Sequence, residues 1–220
     1  MTIPPLKRLL AFVLFCVTAV FLLMAYKAVQ PRGPYIGASI VPVARDSTGQ
    51  WRVLLGIDSH TGKWADFGGG REAEDALNPA VTACREFLEE TGGALGDLTV
   101  DGCVRKVLDS PTTKNIVYEY KKGSRFVSFI VAVDYDPELP ARFAQLLSDI
   151  EGGKMESPPH LEKTKIEWVP FDDVTNALGT CCADTTLSCD VGADRPFRRS
   201  TLGSFCLAEQ LKHFAFYRDL

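Results

Sequence analysis

The stretch ACREFLEETGG, Ala83 to Gly93, belongs to a helix whose ends and sides are all marked in the sequence. Upstream, Asn78-Pro79 supplies an N-cap and a proline for the first helical position. Downstream, Gly92 or Gly93 suits the left-handed turn that stops a helix. At about 100° per residue, Glu86, Glu89 and Glu90 fall within a wedge of roughly 100° on one side. Val81, Cys84 and Leu88 project from the opposite side and need a core to face. The chain must therefore place an apolar surface under this helix. Its acidic side carries two costs. Like charges at i,i+3 and i,i+4 repel by about 0.2–0.5 kcal/mol per pair, and acids in a last turn oppose the negative end of the helix dipole. A cation held on the patch relieves both.

The rest of the chain supplies the surface. YIGASIVPVAR and WRVLLGIDS, joined across DSTGQ, read as two strands of a hairpin. KWADFGGGREAEDALNP is then a glycine-rich loop into the helix. Val100 to Leu108 and Ile116 to Tyr120 read as strands flanking DSPTTKN, and RFVSFIVAVDY as the strongest, central strand. LPARFAQLLSDI is a short amphipathic helix, and Glu151 to His160 a loop. TKIEWVPFDDV is a strand running into a turn or short helix, and Ser200 caps a final helix through Tyr217. Strands interrupted by a few helices predict an α/β (α+β) fold, a mixed sheet with helices packed on it.

Gly68-Gly69, an acidic loop and Arg85-Glu86-Phe87-Leu88-Glu89-Glu90-Thr91-Gly92 together resemble the Nudix box, G-x5-E-x7-R-E-U-x-E-E-x-G-U, with U a bulky aliphatic residue. The resemblance covers about Tyr35 to Val174. The sequence departs from the pattern in the loop: counting from Gly68 places Glu74 at the acidic position, counting from Gly69 places Asp75 there, and either way the loop is too long. The position after Gly92 is Gly93 rather than an aliphatic, and the first U is Phe87. The resemblance implies an α/β/α sandwich and hydrolysis of a nucleoside diphosphate linked to another group. It implies Mg²⁺ or Mn²⁺ held by Glu86, Glu89 and Glu90 with Gly69, which suits a hard cation that favours oxygen ligands and substrate phosphates. Gly68, Gly69, Gly70 and Trp64 are the candidate substrate contacts. Arg85 orients a glutamate, with Glu89 at i+4 and the loop acids Glu72 and Glu74 as partners, and Glu162 is a candidate general base. A non-catalytic nucleotide-binding or scaffold module is the alternative. Asp66-Phe67-Gly68 also spells the kinase DFG, but no accompanying kinase motif follows in order. His60, His160 and His213 are scattered along the chain and read as surface residues.

A different constraint lies at the front. Leu9 to Tyr26 reads LLAFVLFCVTAVFLLMAY, uncharged and without proline, long enough as a helix to span a bilayer core. Met24, Tyr26 and Lys27 spoil a signal-cleavage site, so residues 1–34 are expected to be a short tip, a single-pass anchor and a linker, with residues 35–220 the hydrolase domain. Lys7, Arg8 and the amino terminus weakly outweigh Lys27 and Arg32, favouring the tip in the cytosol. Of the seven cysteines, Cys84 and Cys103 read as buried thiols. Cys181, Cys182 and Cys189 could form disulfides in an oxidising compartment. A net charge of −4 gives no support to nucleic-acid binding.

Overall fold

The structure, a computed structural model, describes residues 35–95, 98–110, 112–121 and 124–174. The run 9–26, the final helix and Cys181, Cys182 and Cys189 lie outside the described residues. Among the described residues no helix is long and apolar enough to cross a membrane.

Strands β1 (Tyr35–Arg45) and β2 (Trp51–Asp58) form the expected antiparallel hairpin. Asp46 closes its turn by accepting from the backbone N–H groups of Thr48 and Gln50. The two strands pair only from Val43 to Arg45 against Trp51 to Val53, and then part. Into the fork goes one segment divided between two partners. Its first half, β3 (Trp64–Ala65), pairs with β2; its second, β4 (Phe67–Gly70), pairs with β1. Asp66 sits where the segment changes partner, is buried, and accepts a 2.6 Å hydrogen bond from Ser39 Oγ. Strand β5 (Lys114–Lys121) pairs antiparallel with β6 (Ser124–Ala132), which runs parallel to β1 on its other edge. Strand β7 (Lys163–Pro170) pairs antiparallel with β2. The sheet is mixed, as expected. Ala38, Ile40 and Ala44 of β1 join one apolar cluster, while Val41 and Val43, on the opposite face of the same strand, are buried as well.

Three α-helices lie wholly within the described residues, α1 (Pro79–Thr91), α2 (Val100–Asp109) and α3 (Leu139–Glu151), and residues 171–174 are helical after β7. Helix α1 begins and ends where its sequence signals lie. The Asn78 side chain accepts from the Ala80 N–H, and Gly92, at φ 57°, donates to Leu88 and Glu89 carbonyls. Its buried stripe differs from the expected one: Ala80, Ala83, Cys84, Phe87, Glu90 and Thr91 face inward, whereas Val81 and Leu88 are only half-buried. The stripe is turned by roughly 90° from the expected one, and Phe87 on it packs edge-on against Phe67 at 5.1 Å between ring centres.

Helix α2 corrects the expectation of a strand at Val100 to Leu108. Thr99 accepts from the Gly102 N–H as its N-cap. Cys103 and Val107, one turn apart, are its buried residues. The helical spacing of Val100, Cys103, Val104 and Val107 outweighs the strand preference of the valines. This turn of the chain also overturns the reading of two separate thiols. Cys84 of α1 and Cys103 of α2 are joined in a disulfide, with their Cα atoms 5.7 Å apart. Reduction is expected to cost about 2 kcal/mol of stability, read as a lower urea midpoint in dithiothreitol that a Cys84→Ala/Cys103→Ala variant reproduces without reductant.

Candidate functional site

Glycines let β4 approach both its neighbours. A Cβ on Gly68 would collide with Ser39, and one on Gly69 would lie 2.5 Å from Glu86 Oε2. The glycine strand therefore runs directly against the acidic side of α1. The loop between them folds as a single 3₁₀ turn, Ala73–Asp75, and closes through Ala76 and Leu77, both at positive φ.

Arg85 is the hub of the site. Its Nη2 donates to the Gly70 carbonyl at 2.8 Å, and Nε and Nη2 both donate to Asp75 at 3.2 Å. Its Nη1 lies 2.9 Å from Glu89 Oε2 and 3.0 Å from Glu86 Oε1, with Glu72 at the longer distance of 3.7 Å. Burial works against the charged guanidinium, but Asp75, Glu86 and Glu89 outweigh it and hold it above its ordinary range. The loop acid paired with Arg85 is therefore Asp75. Glu74 is exposed and takes no part in these contacts, and Glu72 adds only the longer contact.

Asp75 is 1% exposed and also accepts from the Thr82 hydroxyl and the Glu72 N–H. Burial alone would raise its carboxyl. The hydrogen bonds from Arg85, Glu72 and Thr82 outweigh burial and hold it below its ordinary value. A carboxyl lowered on folding contributes stability that is complete above its unfolded value and lost as pH falls through the folded one. Urea midpoints measured from about pH 5 down to about pH 2 are accordingly expected to fall more steeply for the native chain than for Asp75→Asn.

The three helix glutamates occupy different surroundings. Glu86 and Glu89 keep 15% and 23% of their side chains exposed. Burial, reinforced by the negative neighbours Glu89 and Glu162, pushes Glu86 above its ordinary value against the pull of Arg85. Glu90 turns inward and is 2% exposed. One of its oxygens accepts from the Gly68 N–H at 2.8 Å, and the other lies 2.8 Å from Lys163 Nζ. Burial raises the Glu90 carboxyl to about 7 even though Lys163 pulls it down. Two partly exposed carboxylates held together by one guanidinium, beside a glycine backbone, fit a hard divalent ion by donor type and charge. Glu90 is differently placed, its oxygens already engaged.

Two candidates remain, Trp64 and Glu162. Trp64 is 5% exposed, and Lys165 Nζ stands 5.6 Å from its ring centre, so its ring is covered where it stands. Glu162 is half-buried immediately before β7, and its carbonyl accepts from the Ser59 N–H. It stands with Asp58 and His60, one donor atom from each lying within 4.8 Å of the others. The fold thus gathers His60 into a cluster with two acids, although in sequence it reads as an isolated surface residue. Sequence reasoning also passed over Lys163. The only available signal was its place before the apolar strand, next to Glu162.

A family model described as the NUDIX domain matches residues 34–181. Among solved structures the chain is similar to the NUDIX domain of Shewanella oneidensis NrtR complexed with ADP ribose. That match has 14% identity, covers 82% of this chain and 90% of that one, and has a TM-score of 0.44. A mutT/nudix family protein from Listeria innocua matches at 17% identity over 84% and 99% of the two chains, TM-score 0.44. RenU, a Nudix hydrolase from M. smegmatis, matches at 17% identity over 84% and 88%, TM-score 0.42. Comparison with curated protein sequences gives no match. Matched by the domain model over well more than half of its length, the chain belongs to the NUDIX family.

Proposed function

We propose that the chain hydrolyses the pyrophosphate bond of a nucleoside diphosphate joined to a second group, with Mg²⁺ or Mn²⁺ at the acidic face of α1. It is a pyrophosphohydrolase of the NUDIX type. One observation carries the reading: the carboxylates of Glu86 and Glu89 meet at the Arg85 Nη1 atom, 3.0 and 2.9 Å away, beside the glycines of β4. Glu86 and Glu89, with the backbone of Gly69, would hold the ion. When bound, such an ion neutralises charge on phosphate oxygens and lowers the pKa of a bound water. The chain's own residues do the rest. Arg85 fixes both carboxylates, Gly68 to Gly70 allow a diphosphate to approach the backbone, and Glu162 or a helix glutamate takes the proton from the attacking water.

The test is phosphate release from a panel of nucleoside diphosphate derivatives in the presence of each ion. ADP ribose, the ligand of the NrtR domain, is a natural first member. The alternative, a module that binds nucleotides without turnover, is favoured by one fact: Lys163 already engages Glu90. Nucleotide binding without turnover in either ion would establish that reading.

The proposal extends to the front of the chain, with 9–26 as a membrane anchor and 35–220 as the catalytic unit. Its support is the uncharged apolar run with basic flanks. The Cys84–Cys103 disulfide suits an oxidising compartment, the same side that the charge balance across the run favours. Protease added to sealed vesicles is expected to spare the domain until detergent is added; digestion before detergent would reverse the orientation.

A further inference from the structure

Lys163 is a charged side chain buried to 2% exposure, and several separate features of the fold serve its placement. Along β7, Ile57 pairs with Lys165 and Asp58 with Lys163, so Thr164 is passed over in a bulge. Thr164 and Lys165 are consequently both exposed, between the buried Lys163 and Ile166. Plain alternation would not bury both 163 and 166, and a bulge is the usual device for re-aiming a side chain. Strand β2 supplies the room. A Cβ on Gly56 would lie 2.8 Å from Lys163 Cδ, so the lysine stem occupies the space a larger residue would fill. The Phe67 ring stands 5.7 Å from Nζ, and the ammonium ends 2.8 Å from Glu90 Oε1.

The rotation of α1 completes the arrangement. With Phe87 packed against Phe67, Glu90 falls on the inward edge while Glu86 and Glu89 remain outward. Glu90 then spends one oxygen on Gly68 and the other on Lys163. A divalent ion would need the oxygen that the ammonium holds, and would meet a like charge beside it in a buried setting.

We infer that Lys163 is a positioning residue of this site: its ammonium supplies the positive charge on Glu90 that a divalent ion would otherwise supply, so the exchangeable ion is held by Glu86 and Glu89 without Glu90. The pair also ties α1 to β4 through Gly68 and to the start of β7, keeping the two outward carboxylates in register with the glycine strand. The role of the ion rests on the hydrolase reading, but the assignment of Lys163 can fail separately from it.

The test is Mn²⁺ binding to the purified full chain without nucleotide, followed by calorimetry and by the electron paramagnetic resonance of free Mn²⁺. The double variant Glu90→Gln/Lys163→Met loses both charges together and leaves no buried charge unpaired. It is expected to bind Mn²⁺ within about twofold of the native chain, whereas Lys163→Met alone frees Glu90 and binds at least about tenfold more tightly or takes an additional ion. A tenfold loss in the double variant would make Glu90 a ligand and overturn the assignment, as would a folded Lys163→Met with native affinity and ion number. If Lys163→Met does not fold, the double variant decides alone. A native chain that binds no Mn²⁺, either alone or with a nucleoside diphosphate present, would sink the hydrolase reading instead; Lys163 would then be judged by whether its removal creates a site.

Discussion

Glu86→Gln and Glu89→Gln are each expected to lower kcat on a nucleoside diphosphate substrate at least about 100-fold, or roughly 2.7 kcal/mol of transition-state stabilisation. Both carboxylates are partly exposed and lie about 3 Å from the same nitrogen of Arg85. Amides of the same shape keep the fold and can still accept a hydrogen bond from Arg85, but they remove the charge that binds a hard cation. Turnover should therefore fall while the melting temperature stays close to native, a combination that separates loss of chemistry from loss of structure. Steady-state phosphate release with a parallel thermal melt is sufficient to read it. Native turnover in Glu89→Gln would remove the acidic face of α1 from the mechanism.

The second large effect concerns stability as well as rate. Arg85→Met is expected to cost about 3 kcal/mol of folding stability, because it strands a buried carboxylate. Asp75 is 1% exposed, and Arg85 reaches it through two hydrogen bonds. The same change leaves Glu86 and Glu89 repelling each other without their shared cation. Urea unfolding of Arg85→Met, Asp75→Asn and the double variant forms a cycle, and the double should be less destabilised than the sum of the singles. Additive costs would mean that Asp75 and Arg85 are not coupled, and that the acidic position of the box lies elsewhere in the loop.

The two candidates for that acidic position show where sequence reasoning stops. Counting from one glycine or the next gives Glu74 or Asp75, and nothing in the spacing chooses between them. In the fold the chain makes a 3₁₀ turn at Ala73–Asp75 that buries Asp75 beside Arg85 and leaves Glu74 in solvent. The choice is made by a turn whose geometry depends on where α1 and β4 already stand. Helix α2 shows the opposite case. The helical spacing of its apolar residues lies in the sequence itself and outweighs the strand preference of the valines, and the Cys84–Cys103 bond joins it to α1.

Local signals settled the hairpin and both ends of α1, and they placed Glu86, Glu89 and Glu90 on one side of the helix with Glu89 at i+4 from Arg85. Each of these depends on residues within a turn or two of each other, where caps, glycines and periodicity act directly. Tertiary structure decided the rest: that α1 is rotated to send Glu90 inward, that a bulge more than seventy residues later delivers Lys163 to it, and that Asp58, His60 and Glu162 come together. These are pairings between distant segments, fixed by which side chains fill the core between α1 and the sheet. No local pattern carries them, because burying a charge is favourable only where its partner is already in place.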